Sequence, residues 1–404
     1  MEQKKNIEIE YLRAIAVCMT LLAHMPVLLP FHHGSLDFVL FIFNAWTGVD
    51  LFFCISGYVV SRAYLDYFDK HRQSGHFGIA AQSFWLRRLY RLLPTSWLWI
   101  LIPLVLSILF NSTGIFGSWY DNLRAFTAVA TFSGNLANQE QFGKALGPNG
   151  VYWSLALEEQ FYFIFPLFLL LVTSGRWRVG LLLALIALQF GFDRNPFSTP
   201  LSGLLATFRL DAMMWGVLLC IFSRTPLYRQ YQPTFLEGNL LAKLAFTGLL
   251  IYLLGAIAGQ LLKMPIATGL VAIVSLLLVW LSSYQQGYIY CPRSLSRVLV
   301  WIGSRSYAIY VIHVCAYHFS IELWTRYARL QGEVVGKEYT LPLLLTALVF
   351  IVVAAEVNFR LIEDPLRRKG ADISRRRLRR FTGGHPEDAA ERPAPASTAG
   401  NLTT

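Results

Sequence analysis

The sequence predicts an all-α, polytopic helical membrane protein of about ten transmembrane helices, with a re-entrant segment near 123–133. Of its 404 residues, 55% are hydrophobic and only 15% are charged. That is more apolar surface than one soluble core can bury. Apolar stretches recur from Ile9 to Leu361, each near the length that crosses about 30 Å of hydrocarbon at about 1.5 Å per helical residue. Basic residues flank these stretches, as membrane topology requires.

The spans read in order as 9–29, 46–64, 93–110, 151–172, 177–192, 204–222, 240–262, 265–283, 301–323 and 341–361. Residues 1–8 form a polar N-terminus with Lys4 and Lys5. The first apolar stretch holds Glu10 and Arg13 and ends without a small-residue cleavage site, so it is read as a retained span and not a signal peptide. Segment 123–133 is short and carries Thr127, Thr131 and Ser133. If it does not cross and the N-terminus is cytoplasmic, the cytoplasmic loops hold twelve Lys and Arg against seven opposite, with nine more in the C-terminal tail. Both termini are then cytoplasmic. The domain division follows: 1–8, a membrane domain at 9–365, and a basic, low-complexity, disordered tail at 366–404.

Several function classes drop out. The net charge of +11 could point to nucleic acid, but the basic residues border apolar spans and crowd the C-terminus, which suits anionic lipid headgroups. Cys18, Cys54, Cys220, Cys291 and Cys315 have neither paired nor metal-type spacing. No metal is called for: His24, His32 and His33 do not form a recognised ligand set. No internal repeat supports the inverted symmetry of many transporters.

Ionisable side chains inside spans are costly, so each is a functional candidate. Arg13 and His24 are eleven residues apart, which leaves them about 20° apart around a helix and about 16 Å apart along it. They share a face at different depths. Counting along the other spans puts Asp50, Glu158 or Glu159, Arg209, Asp211 and His313 near the depth of His24, in one outer cavity. Arg13, Arg62, Arg87, Arg88 and Arg91, with Arg305, form an inner basic layer whose guanidinium forks suit phosphate oxygens. Ser56, next to Gly57, reads as a helix-packing or hydrogen-bonding residue. Pro365 is expected to end the last helix at Glu363-Asp364.

Five stretches in this order resemble the acyltransferase-3 family of bacterial membrane O-acyltransferases. They are Glu10-Tyr-Leu-Arg13 with His24, Gly48 to Tyr58 with Arg62, Arg87 to Pro94, Trp153 to Tyr162 with Pro166, and Ser306 to His313, followed by Glu363-Asp-Pro365. Together they cover residues 9–365. The family's arginine-to-histidine spacing falls on Arg13 and His24, and the serine, glycine and arginine of its second motif on Ser56, Gly57 and Arg62.

The resemblance implies transfer of an acyl group, commonly acetyl, from cytoplasmic acyl-CoA to a hydroxyl of a cell-surface or exported glycan such as O-antigen or exopolysaccharide, in the bacterial inner membrane. The chain looks like a stand-alone member without an appended esterase-like domain. On this reading Arg13, Arg62, Arg87, Arg88 and Arg91 bind the acyl-CoA. His24, oriented by Asp50 or Glu158, acts as general base or as an acyl relay. The competing reading is a transporter or flippase of a glycan or lipid-linked substrate, whose polar residues would line a path.

Overall fold

A computed structural model of the chain describes residues 6–137, 146–192, 194, 207–259 and 264–382. The described residues are helical with connecting turns and contain no strand. Helix α1 spans Ile7–Ala23, α2 Gly48–Gln73, α3 Phe77–Leu109, α4 Trp119–Ala130, α5 Tyr152–Leu171, α6 Gly175–Phe190 and α7 Asp211–Phe222. After these come α8 Leu240–Ala256, α9 Ala267–Ser283, α10 Arg293–Ser304, α11 Ser306–Leu330, α12 Thr340–Asn358 and α13 Asp364–Thr382.

Among the described residues, four helical stretches are long and apolar enough to cross a membrane, and six if two bent pairs each count as one span. This is fewer than the ten expected. The segments read as 9–29, 177–192, 204–222, 240–262 and 265–283 appear as helices of 17, 16, 12, 17 and 17 residues. Parts of 204–222 and 240–262 lie outside the described residues. The first span is shortened for a local reason. Pro26 lacks an N–H to donate back to the preceding turn, so α1 ends at Ala23 and His24 caps it with φ −98° and ψ 0°. Segment 123–133 falls mostly in α4, twelve residues long and packed against α3, about 18 Å of helix and too short to cross.

Helix α1 is central, in contact with α2, α9, α10 and α11. Two close approaches fix its surroundings. A Cβ on Gly303 of α10 would lie 2.1 Å from the Glu10 carbonyl oxygen. One on Gly57 of α2 would lie 2.1 Å from the Met213 carbonyl oxygen of α7. Small residues here let backbones meet, as in membrane helix packing generally.

The C-terminal region departs from expectation. Residues 359–363 form a π-helical turn and the chain continues as α13. Pro365 lies inside this continuous helical stretch, and the wide turn before it relieves the ring clash. The first part of the segment assigned to a disordered tail is therefore a helix packed on α3. Gly370 faces Tyr90, Ser374 is fully buried and Leu378 is 3% exposed. Residues 383–404 lie outside the described residues.

Candidate active site

A narrow cavity opens between α1, α2, α3, α5 and α11. Arg13, Arg88 and Arg91 supply positive charge to its lining, and Ser56, Glu158 and Tyr162 face them. Each position follows from helical spacing. Ser56 reaches Glu158 and Tyr162 because residues four apart on α5 stack on one face. The Ser56 hydroxyl donates to Glu158 Oε1, as does the Tyr162 hydroxyl, and the two hydroxyls lie 3.0 Å apart.

The three arginines are held differently. Arg13 Nη1 donates to Glu10 Oε1 at 2.9 Å, one turn back on α1. The Arg88 guanidinium lies over the rings of Tyr162, Phe84 and Tyr64, with centroid distances of 4.7, 5.5 and 5.8 Å. Aromatic faces compensate this cation without neutralising it. It has no ion-pair partner among the described residues. Arg62 and Arg87 are outside the cavity lining. Arg62 donates to the Tyr58 hydroxyl at 3.0 Å, and Arg87 Nε donates to Ser374 Oγ at 2.9 Å, tying α3 to α13.

Depth counting expected Glu158 beside His24 and the arginines in a separate inner layer. Glu158 instead shares the cavity with Arg13, Arg88 and Arg91. The reason lies in α3, read from sequence as entering the membrane at residue 93. It begins at Phe77 and runs 33 residues, about 50 Å. Arg88 is thus already about 16 Å along the helix, level with Ser56 and Glu158.

Asp50 is also committed elsewhere. Arg209 Nε donates to Asp50 Oδ1 at 2.7 Å and Nη2 to Oδ2, with both side chains 0% exposed. The guanidinium stacks 4.1 Å over Trp46. Asp211, another candidate for the outer cavity, pairs with Arg194 at 2.8 Å. Arg305 donates to Glu356.

His24 meets a different partner. Its Nδ1 lies 2.9 Å from the Thr20 carbonyl oxygen and 3.3 Å from Nε2 of His313, with the ring centroids 4.9 Å apart. Neither Asp50 nor Glu158 is among its hydrogen-bond partners; a second imidazole, not a carboxylate, lies beside it. Depth counting put His313 in one outer cavity with His24 but assigned it no role. Its contact with His24 spans 289 positions of chain, and the only local signal is its place in the Ser306-to-His313 stretch.

The cavity and the histidine pair adjoin. Tyr310 lines the cavity and its ring centroid lies 5.8 Å from that of His313, while Phe52, also in the lining, packs edge-on against Tyr310 at 6.2 Å. The Tyr310 hydroxyl is fixed between Ser154 Oγ at 2.7 Å and the Val151 carbonyl at 3.0 Å. One end of this arrangement attracts anions, the other offers a base, and two aromatic rings stand between.

Comparison with known proteins agrees with this picture. Residues 6–357 match the acyltransferase-3 family, described as an acyltransferase domain. The chain is similar to peptidoglycan O-acetyltransferase OatA of Listeria monocytogenes, 26% identical over 404 residues, covering 90% of this chain and 56% of that protein. It is likewise similar to O-acetyltransferase OatA of Staphylococcus aureus, 26% identical over 346 residues, covering 81% of this chain and 53% of that protein. The chain thus spans about half the length of the relatives it matches. No solved structure matches it significantly. An apolar helical body carrying an arginine cavity next to a histidine pair is matched along most of its length by one family profile, and the chain belongs to the acyltransferase-3 family.

Proposed function

We propose that the protein is a multi-pass membrane O-acetyltransferase that moves an acetyl group from acetyl-CoA to a hydroxyl of a cell-surface or exported glycan. The observation that carries this reading is the adjacency of the Arg13, Arg88 and Arg91 cavity to His24 through Tyr310 and His313. In this reading the chain sits in the bacterial inner membrane with both termini cytoplasmic, and the cavity receives the donor from that side. The names of the relatives support acetyl as the group and a glycan as the acceptor class. Family membership favours an enzyme over a transporter.

The three guanidiniums bind the phosphates of CoA, where fork geometry and a water-poor setting favour charge-assisted hydrogen bonds. Arg62 and Arg87, turned to Tyr58 and Ser374, support the neighbouring helices. Glu158, held by Ser56 and Tyr162, sets the shape and charge of the cavity wall. The pantetheine arm carries the thioester past Tyr310 to His24.

His24 Nε2 takes the proton of the acceptor hydroxyl as its oxygen attacks the thioester carbonyl. The C–S bond then breaks, the ester forms, and the imidazolium returns its proton to the thiolate, leaving free CoA and a neutral ring. The test is transfer of label from radiolabelled acetyl-CoA to the glycan fraction of membranes containing the full chain. His24→Ala should lower transfer by about 100-fold or more at an unchanged amount of inserted protein. Unimpaired transfer by that variant would remove His24 from the chemistry.

A further inference from the structure

We infer that His313 is a positioning residue, fixing the orientation of His24 and sharing with the Thr20 carbonyl the acceptance of its Nδ1 hydrogen bond while the ring acts as base. This rests on the reading of His24 just given. Carbonyl oxygens only accept hydrogen bonds. The contacts of His24 Nδ1 with the Thr20 oxygen at 2.9 Å and of His313 Nδ1 with the Tyr310 oxygen at 2.6 Å therefore place a proton on each Nδ1. In a neutral imidazole the other nitrogen is then an acceptor. His313 Nε2 presents a lone pair to His24 Nδ1 at 3.3 Å, and the proton there is shared between Thr20 and His313. The consequence is at the far side of the ring: Nε2 of His24 is left unprotonated as the base.

His313 is built to hold this pose. Its side chain is fully buried, and its ring packs edge-on against Tyr310 and Tyr317, both at 5.8 Å. Tyr317 donates to the Leu21 carbonyl at 3.1 Å, so α11 grips the last turn of α1 beside His24. The titratable groups facing the pair are Tyr310, Tyr317 and His318, all on α11, and no carboxylate contacts either ring among the described residues. In a hydrolase triad the orienter is a buried carboxylate. A neutral acceptor does the same directional work here without the cost of burying an unpaired charge at membrane depth.

Two substitutions separate positioning from packing. In His313→Asn the amide replaces the Nδ1 end and can keep the tie to Tyr310, but no acceptor from α11 reaches His24, whose Nδ1 is left with the Thr20 carbonyl alone. In His313→Gln the amide oxygen falls near the former Nε2 and can accept from His24. Membranes containing each full-length variant are assayed with radiolabelled acetyl-CoA, varying donor concentration. The expected result is a fall in kcat of about 100-fold for the Asn variant, with KM for acetyl-CoA unchanged and recovery to within about tenfold of wild type by Gln.

Wild-type kcat in the Asn variant would overturn the assignment, as would equal losses in both variants accompanied by a raised KM or reduced protein. Failure of the underlying reading looks different. There, His24→Ala transfers normally, or the wild-type chain transfers no label.

Discussion

Replacing Asp50 separates a structural lock from a catalytic carboxylate. Asp50 and Arg209 are both 0% exposed, joined by two parallel hydrogen bonds, and capped by Trp46 at 4.1 Å. Arg209 Nη1 already lacks a hydrogen-bond partner, so no spare acceptor compensates a lost carboxylate. Asp50→Ala therefore leaves a buried guanidinium uncompensated, at a cost of about 3–5 kcal/mol. Since a domain's whole stability is about 5–15 kcal/mol, melting of the detergent-solubilised chain should fall sharply and acetyl transfer with it.

The double change Asp50→Leu with Arg209→Met removes both charges and keeps the volume. It should recover most of the stability, because replacing a buried pair by apolar side chains is often neutral or better. Thermal unfolding and the acetyl-transfer assay are run on all three proteins. A double variant that melts like wild type yet transfers nothing would refute the lock and return Asp50 to the chemistry. So would an Asp50→Ala chain with unaltered melting.

Two further outcomes are expected. Arg88→Ala should raise KM for acetyl-CoA by about 10-fold or more, the worth of one charge-assisted hydrogen bond, while Arg62→Ala, outside the cavity, should change it far less; steady-state kinetics against donor concentration decides, and equal effects would count against the cavity as the donor site. Gly370→Val should force α13 away from α3, because a Cβ there meets the Tyr90 Cβ at 2.5 Å. The cost should be about 1–3 kcal/mol, read as earlier thermal unfolding and faster proteolysis within 364–382.

Much of the molecule was legible because its signals are local. Apolar run length marks helices whatever they pack against, and Arg13 lies in α1 with His24 at its C-terminal cap. Ser56 beside Gly57 reads as a helix-packing or hydrogen-bonding residue; in the structure Gly57 makes the close backbone approach to Met213, and Ser56 donates to Glu158. Local signals also misled. Pro365 reads as a helix stop, but a π-helical turn absorbs it and α13 follows, an accommodation that depends on the surface α3 offers.

Composition, span pattern and the order of motifs determined that this is an all-α membrane protein of the acyltransferase-3 family, with Arg13 in its first helix and His24 at that helix's end. Only the tertiary structure decided which charges meet. Asp50 belongs to Arg209 across 159 positions, Glu158 to Ser56 across 102, and His24 to His313 across 289. A depth estimate ranks side chains along each helix axis, but rotation, tilt and the starting point of a helix such as α3 are set by packing against other helices. At membrane depth a charge takes whichever partner that packing brings within hydrogen-bond reach, and here it brought an imidazole, not a carboxylate, to His24.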